Sequence, residues 1–145
     1  MNLSPHFTLE EMVFSQTAMR KGLNNVPPQH LMPVLRHTCE CMEEVRALLG
    51  VSIHVSSGYR APSVNTAIGG SPTSQHPKAE AVDFTAPDFG TPREIALAII
   101  GSDIKFDQII MEGNWVHISF SNNPRGQALT AVFRNGKATY LNGIK

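Results

Sequence analysis

Residues 27–50, PPQHLMPVLRHTCECMEEVRALLG, constrain this chain more than any other stretch. Leu31, Leu35, Met42, Val45 and Leu49 recur at helical spacing and form one apolar face. Pro27 and Pro28 open the segment and Gly50 ends it. Pro33 falls near the first turn, where a missing N–H costs little. A helix this long must cover its apolar face, so the rest of the chain has to supply a surface for it. The later sequence offers one. VSIHVSSGYR alternates Val51, Ile53 and Val55 against Ser52 and His54, and AEAVDFTA is short and apolar enough for a central strand. FDQIIMEG and NWVHISF read as two strands joined by a tight turn. ALTAVFRNGKATYLN reads as a hairpin, because Asn135–Gly136 is a strong type I′ turn signal. Helices come early and strands dominate later. That order predicts an α+β fold: a single domain, residues 1–145, with N-terminal helices packed on an antiparallel sheet.

Local signals fill in the remainder. FTLEEMVFSQTAMRK reads as one short helix, with Thr8 as N-cap, Glu11 completing a capping box and Gly22 stopping it. APSVNTAIGG is a short helix or a turn, and GGSPTSQHPK is a loop. TPREIALAIIG is a second amphipathic helix with Thr91 as cap and Pro92 at its first position.

A chain of 145 residues with 41% apolar and 17% charged side chains suits a globular protein, not a disordered one. At this length about 70% of the unfolded surface can be buried, enough for a core without staples. The formal net charge is zero, which argues against broad binding to nucleic acid or anionic membrane. No run approaches the roughly 20 apolar residues of a membrane span. MNLSPHFTLEEMVFSQ lacks a basic stretch followed by an apolar one, so the expectation is synthesis in the cytoplasm without a signal peptide. Cys39 and Cys41 are two apart on the long helix and point to different faces, which predicts reduced thiols.

The chemistry concentrates in SQHPKAEAVDF, residues 74–84. A zinc site needs about three protein ligands and one open position, and imidazole and carboxylate are suitable donors. His76 lies in the loop and Asp83 in the strand that follows, with the small Ala79 and Ala81 between them. A loop entering a strand can aim both at one point. The best third candidate is His117 in NWVHISF, where it shares a strand face with Trp115 and Ser119, opposite Val116, Ile118 and Phe120. The competing reading is that these histidines are structural. His6, His30, His37 and His54 receive no function. Glu80 is expected on the strand face of Val82, away from Asp83.

The pattern S-x-H-x-x-A-x-A-x-D at Ser74, His76, Ala79, Ala81 and Asp83, followed by W-V-H at 115–117, resembles the zinc D-alanyl-D-alanine carboxypeptidases. That family includes vancomycin-resistance D,D-dipeptidases and phage L-alanyl-D-glutamate endolysins, and it shares its zinc site with the hedgehog signalling domain. SSGYRAPSVNTAIGG resembles the family too, so the likeness covers roughly residues 50–121. It implies a hedgehog/D,D-peptidase-like fold and one Zn2+ per chain, held by His76, Asp83 and His117. Arg60 matches the family arginine that holds substrate near the scissile bond, as a guanidinium suits a carboxylate or carbonyl. Ser74, Gln75 and Trp115 would line the substrate site, and Ser57 and Asn65 would shape its loop.

Two positions depart from the family pattern. Alanine stands at position 79, where the family usually has glycine, and alanine is harder to place at positive φ. The general base is often three residues before the last histidine ligand, but that position is Asn114. Glu112, five before His117, is the nearest acid and is taken as the base; Asp107 is the next, with a structural role expected. The implied activity is hydrolysis of peptidoglycan peptides containing D-amino acids by a monomer that binds neither nucleic acid nor membrane. It would act on the wall after release, or as part of a phage. The alternative is a non-catalytic zinc-containing binding or structural module on the same fold, such as a virion component.

Overall fold

A computed structural model describes residues 1–145. The chain opens with a small pairing of β1 (Asn2–Ser4) and β2 (Phe7–Thr8). Helix α1 (Leu9–Val13) starts at Thr8, whose side chain accepts from the Glu11 N–H while Glu11 accepts from the Thr8 N–H, as the capping box predicts. The single helix expected over 7–21 is two. Phe14 is extended, Ser15 caps a new helix α2 (Gln16–Lys21), and Gly22 ends it in the left-handed region at φ 65°. The serine hydroxyl offers the Ala18 N–H a partner outside a continuous helix, which is what lets the chain turn there.

A 3-10 turn at Gln29–Leu31 leads into α3 (Met32–Leu49), with Pro33 in its first turn and Gly50 closing it at φ 68°. Leu35, Cys39, Met42, Val45 and Leu49 are buried, as their spacing requires. Next come β3 (His54–Ser57), α4 (Pro62–Ala67), a 3-10 turn at His76–Lys78 and β4 (Ala81–Thr85). Strand β3 begins later than the alternation at Val51 suggests; Val51 and Ile53 pack against the core from outside the ladder. Helix α5 (Pro92–Ile100) carries the Thr91–Glu94 capping box, and β5 (Gln108–Met111) and β6 (Val116–Ser119) pair antiparallel. The chain finishes with β7 (Gln127–Arg134) and β8 (Lys137–Asn142), joined by Asn135 at φ 51° and Gly136 at φ 76°, both positive as a type I′ turn demands.

The main sheet has six strands in the order β3-β4-β6-β5-β7-β8. The expectation of a purely antiparallel sheet is corrected at one place: β5 and β7 run parallel. Strand β6 has β4 on one side and β5 on the other, so the chain leaving β6 crosses the end of β5 and adds β7 to its free edge. That crossing is pinned. Gly126 N–H donates to the Phe106 carbonyl, Gln127 N–H to the Asp107 carbonyl, and Asp107 takes a two-point ion pair from Arg125 at 3.1 and 2.8 Å.

The two faces of the sheet differ. Val82, Phe84, Val116, Ile118 and Ile109 are fully buried in one core with residues of α3 and α5. The other face carries Asp83, His117 and Ile110, which stand side by side in register. No helix is long and apolar enough to cross a membrane. Cys39 and Cys41 are free thiols, and burial pushes their pKa values up to about 12 and about 11.

Gly58 joins the N-terminal helices to the sheet. Tyr59 N–H donates to the Met12 carbonyl at 2.7 Å, and a β-carbon on Gly58 would stand 2.5 Å from that same oxygen. Gly58→Ala is expected to lower stability by about 1–3 kcal/mol through overpacking, read as a fall in the urea midpoint at unchanged m-value.

Candidate metal centre

The turn before β4 sets the first donor. His76 is 3% exposed, and its Nδ1 lies 2.7 Å from the Gly58 carbonyl oxygen. A carbonyl only accepts, so Nδ1 donates to it, and Nε2 faces inward, 3.3 Å from Asp83 Oδ2. Ser74 supports the turn by accepting the His76 N–H at 3.2 Å. Asp83 and His117 are direct cross-strand partners, which puts Asp83 Oδ1 2.9 Å from His117 Nδ1. The two imidazoles meet edge-on with centroids 5.2 Å apart. One atom from each of the three side chains lies within 4.8 Å of the others, and all three residues are buried.

Two imidazole nitrogens and one carboxylate oxygen are the donor set of a three-ligand zinc site with an open position. The backbone carbonyl behind His76 is the kind of support that orients a metal-binding imidazole. The residues therefore fit a zinc ion. Burial works against the charge of Asp83, yet His76 and His117 outweigh it and hold the carboxyl well below the usual carboxylate range.

Ala79 ends the His76–Lys78 turn at φ 62°, in the left-handed region. The positive φ that the glycine pattern implies is thus adopted by alanine. The strain is about 1–2 kcal/mol for an L-residue. Burying the methyl returns about 0.8 kcal/mol, and Ala79 is fully buried. Thr38 of α3 adds a hydrogen bond of 2.7 Å to the Ala79 carbonyl. The turn keeps its shape because the core and the long helix hold it.

The three donors sit in a cleft of about 750 Å³. Arg60, Ser74, Gln75, Glu112 and Trp115 also line it, while Ser57 and Asn65 do not line it and instead hold Arg60. Arg60 is held from three sides. Its Nη1 donates to Asn65 Oδ1 at 3.0 Å, its Nη2 to Ser57 Oγ at 3.3 Å, and Nη2 lies 3.8 Å from Asp83 Oδ2. Asn65 in turn donates to the Ser71 carbonyl at 2.9 Å, tying Arg60 to the cleft rim. Glu112 follows β5 in a turn closed by Glu112 N–H to the Trp115 carbonyl, with Gly113 at φ 82°. Burial pushes the Glu112 carboxyl above its ordinary pKa, against the pull of His117 and Arg60. The Trp115 indole N–H is buried without a protein partner.

Glu80 is a correction. The strand begins at Ala81, so its alternation does not reach back to Glu80, which lines the cleft and accepts from Gln75 Nε2 at 3.3 Å. Asp107 has the structural role described above and also reaches the cleft wall. His6, His30, His37 and His54 do not line it. Sequence reasoning did not single out Ile110, Leu129 and Tyr140, which form the far side. The period-2 alternation of the last hairpin was the available signal.

This sheet face carries, in a single α+β domain, a His-Asp-His group that could hold a metal ion, with Glu112 and Arg60 in the same cleft. A family model described as peptidase M15 matches residues 5–119, and a search of curated proteins gave no match. The chain belongs to the peptidase M15 family, and zinc-dependent peptidase activity follows from that membership.

Two outcomes follow from this geometry. Zinc added to chelator-stripped protein should raise Tm by several degrees, since a ligand at 100 times Kd adds about 2.7 kcal/mol. Asp83→Ala should abolish the shift. Asp107 is held down to about 2, chiefly by hydrogen bonds from Arg125. Its folded pKa is depressed, so the stabilisation is present above the unfolded value near 4 and is lost as pH falls from about 4 to about 2. Arg125 is half exposed, which limits the contribution to about 1–2 kcal/mol. Urea midpoints should therefore fall less between pH 4.5 and pH 2 (approximate limits) in Asp107→Asn than in the parent.

Proposed function

We propose that this protein hydrolyses peptide bonds in bacterial cell-wall peptides that contain D-amino acids. The observation that carries the reading is the joint placement of Glu112 and Arg60 in the same cleft as His76, Asp83 and His117. The likeness of the S-x-H-x-x-A-x-A-x-D and W-V-H segments to D-alanyl-D-alanine carboxypeptidases and L-alanyl-D-glutamate endolysins supplies the substrate class. His76, Asp83 and His117 would hold one zinc ion. When bound, zinc supplies Lewis acidity and a water acidic enough to lose its proton near neutral pH.

The remaining work falls to the chain. Glu112 accepts the proton of the attacking water. A carboxyl whose pKa is raised by burial holds that proton better than an exposed one and delivers it to the departing amine. Arg60 arrives already oriented by Asn65 and Ser57, so little order is lost when its free N–H groups meet a substrate carbonyl or carboxylate. Trp115, Ser74 and Gln75 line the cleft where substrate would lie. The protein works as a monomer, made in the cytoplasm and reaching the wall on release or within a phage particle.

The test is digestion of purified peptidoglycan followed by mass analysis of the fragments, with and without a chelator. Chelator-sensitive release of D-alanine marks a D,D-carboxypeptidase, and cleavage between L-alanine and D-glutamate marks an endopeptidase. Glu112→Gln should retain about one zinc per chain while kcat falls by roughly 10²–10⁴-fold. Full zinc content with no fragments from the parent protein would favour the non-catalytic module instead.

A further inference from the structure

The family match ends at residue 119, yet the cleft does not. Its far side is built by the C-terminal hairpin, β7 and β8. The register explains how. His117 pairs with Ile110, and Ile110 with Leu129, so these three side chains share one sheet face in a single row across β6, β5 and β7. One step along the strands, Ala131 pairs with Tyr140, on the same face as Leu129. Glu112 follows the end of β5, and it and Tyr140 line the same cleft.

The polarity of the cleft is uneven. Toward the turn before β4 it is bounded by Ser71, Thr73, Ser74, Gln75 and Lys78. Toward the hairpin Ile110, Leu129 and Tyr140 supply apolar surface, bordered by Gln108, Glu112 and Arg125, and Tyr140 is 51% exposed although it sits on a sheet. We infer that Ile110, Leu129 and Tyr140 form an apolar subsite that takes an aliphatic side chain of the substrate, such as an alanine methyl, and rejects a charged one. The inference rests on this cleft being the substrate site proposed above. Strands lie about 4.8 Å apart, so Ile110 and Leu129 stand roughly 5 and 10 Å from the strand of His117. An extended peptide advances about 3.4 Å per residue, so the side chain held there belongs to the second or third residue from the scissile bond. The hairpin therefore selects the substrate without touching the metal ligands.

The single tryptophan of the chain lines the same cleft, so its fluorescence reports occupancy. The experiment titrates zinc-loaded Glu112→Gln protein with tetrapeptides carrying either a free or an amidated C-terminus. Ala, Leu, Ser or Asp, in L and D forms, is walked through each position. At one position Ala or Leu should bind at least about tenfold tighter than Asp, a difference of about 1.4 kcal/mol. Adding Tyr140→Ser, on the exposed edge strand, or Leu129→Ser should cut that preference to threefold or less (an order-of-magnitude expectation) with zinc content unchanged. Absence of a preferred position, absence of binding, or a preference that survives both substitutions would overturn the subsite. Hydrolysis is not the readout, so a protein that binds these peptides without cutting peptidoglycan fails the catalytic reading and still passes this test.

Discussion

The pairing of β4 with β6 is the contact on which the rest depends. Asp83 faces His117, while Val82 faces Ile118 and Phe84 faces Val116 on the opposite side. One register thus settles two matters. It sends four apolar side chains into the core with α3 and α5, and it sets two donors side by side on the cleft floor. A slip of one residue would put Val82 or Phe84 where the carboxylate belongs and push Asp83 into the core. Burial of the core therefore enforces the ligand geometry.

The supports around the turn work in the same sense. Gly58 touches helix α1 through its lack of a side chain and orients His76 through its carbonyl. Thr38 reaches from the middle of α3 to the carbonyl of Ala79. Both ends of the turn that carries His76 are thus fixed by elements far away in sequence. This is how alanine can occupy a left-handed backbone position without loosening the site. The strain is small, and the surrounding packing over-determines the conformation.

Much of this was legible in the residues. Thr8, Thr91, Gly50 and Asn135–Gly136 are local signals, and local signals depend only on neighbours within a few residues. The three donors were legible because residue type and order carry their chemistry. What escaped was decided at longer range. Ser15 breaks the first helix by offering a cap within a stretch whose composition suits one continuous helix. The parallel pairing of β7 with β5 depends on which sheet edge is free, and no local pattern encodes that. Glu80 was misplaced because strand alternation was extended one residue too far. Tyr140 carries no local signal of a site, since only the assembled sheet brings it to the cleft.

The parallel junction also divides the sheet by task. Everything needed to hold the donors lies before residue 120, within the stretch that the family shares. The final two strands are attached along one edge and by the Asp107–Arg125 clasp. Such a wall is replaceable. A substitution in residues 127–142 alters the far wall of the cleft while the rows that carry Asp83 and His117 keep their own packing, so shape and metal donors are separable by mutation.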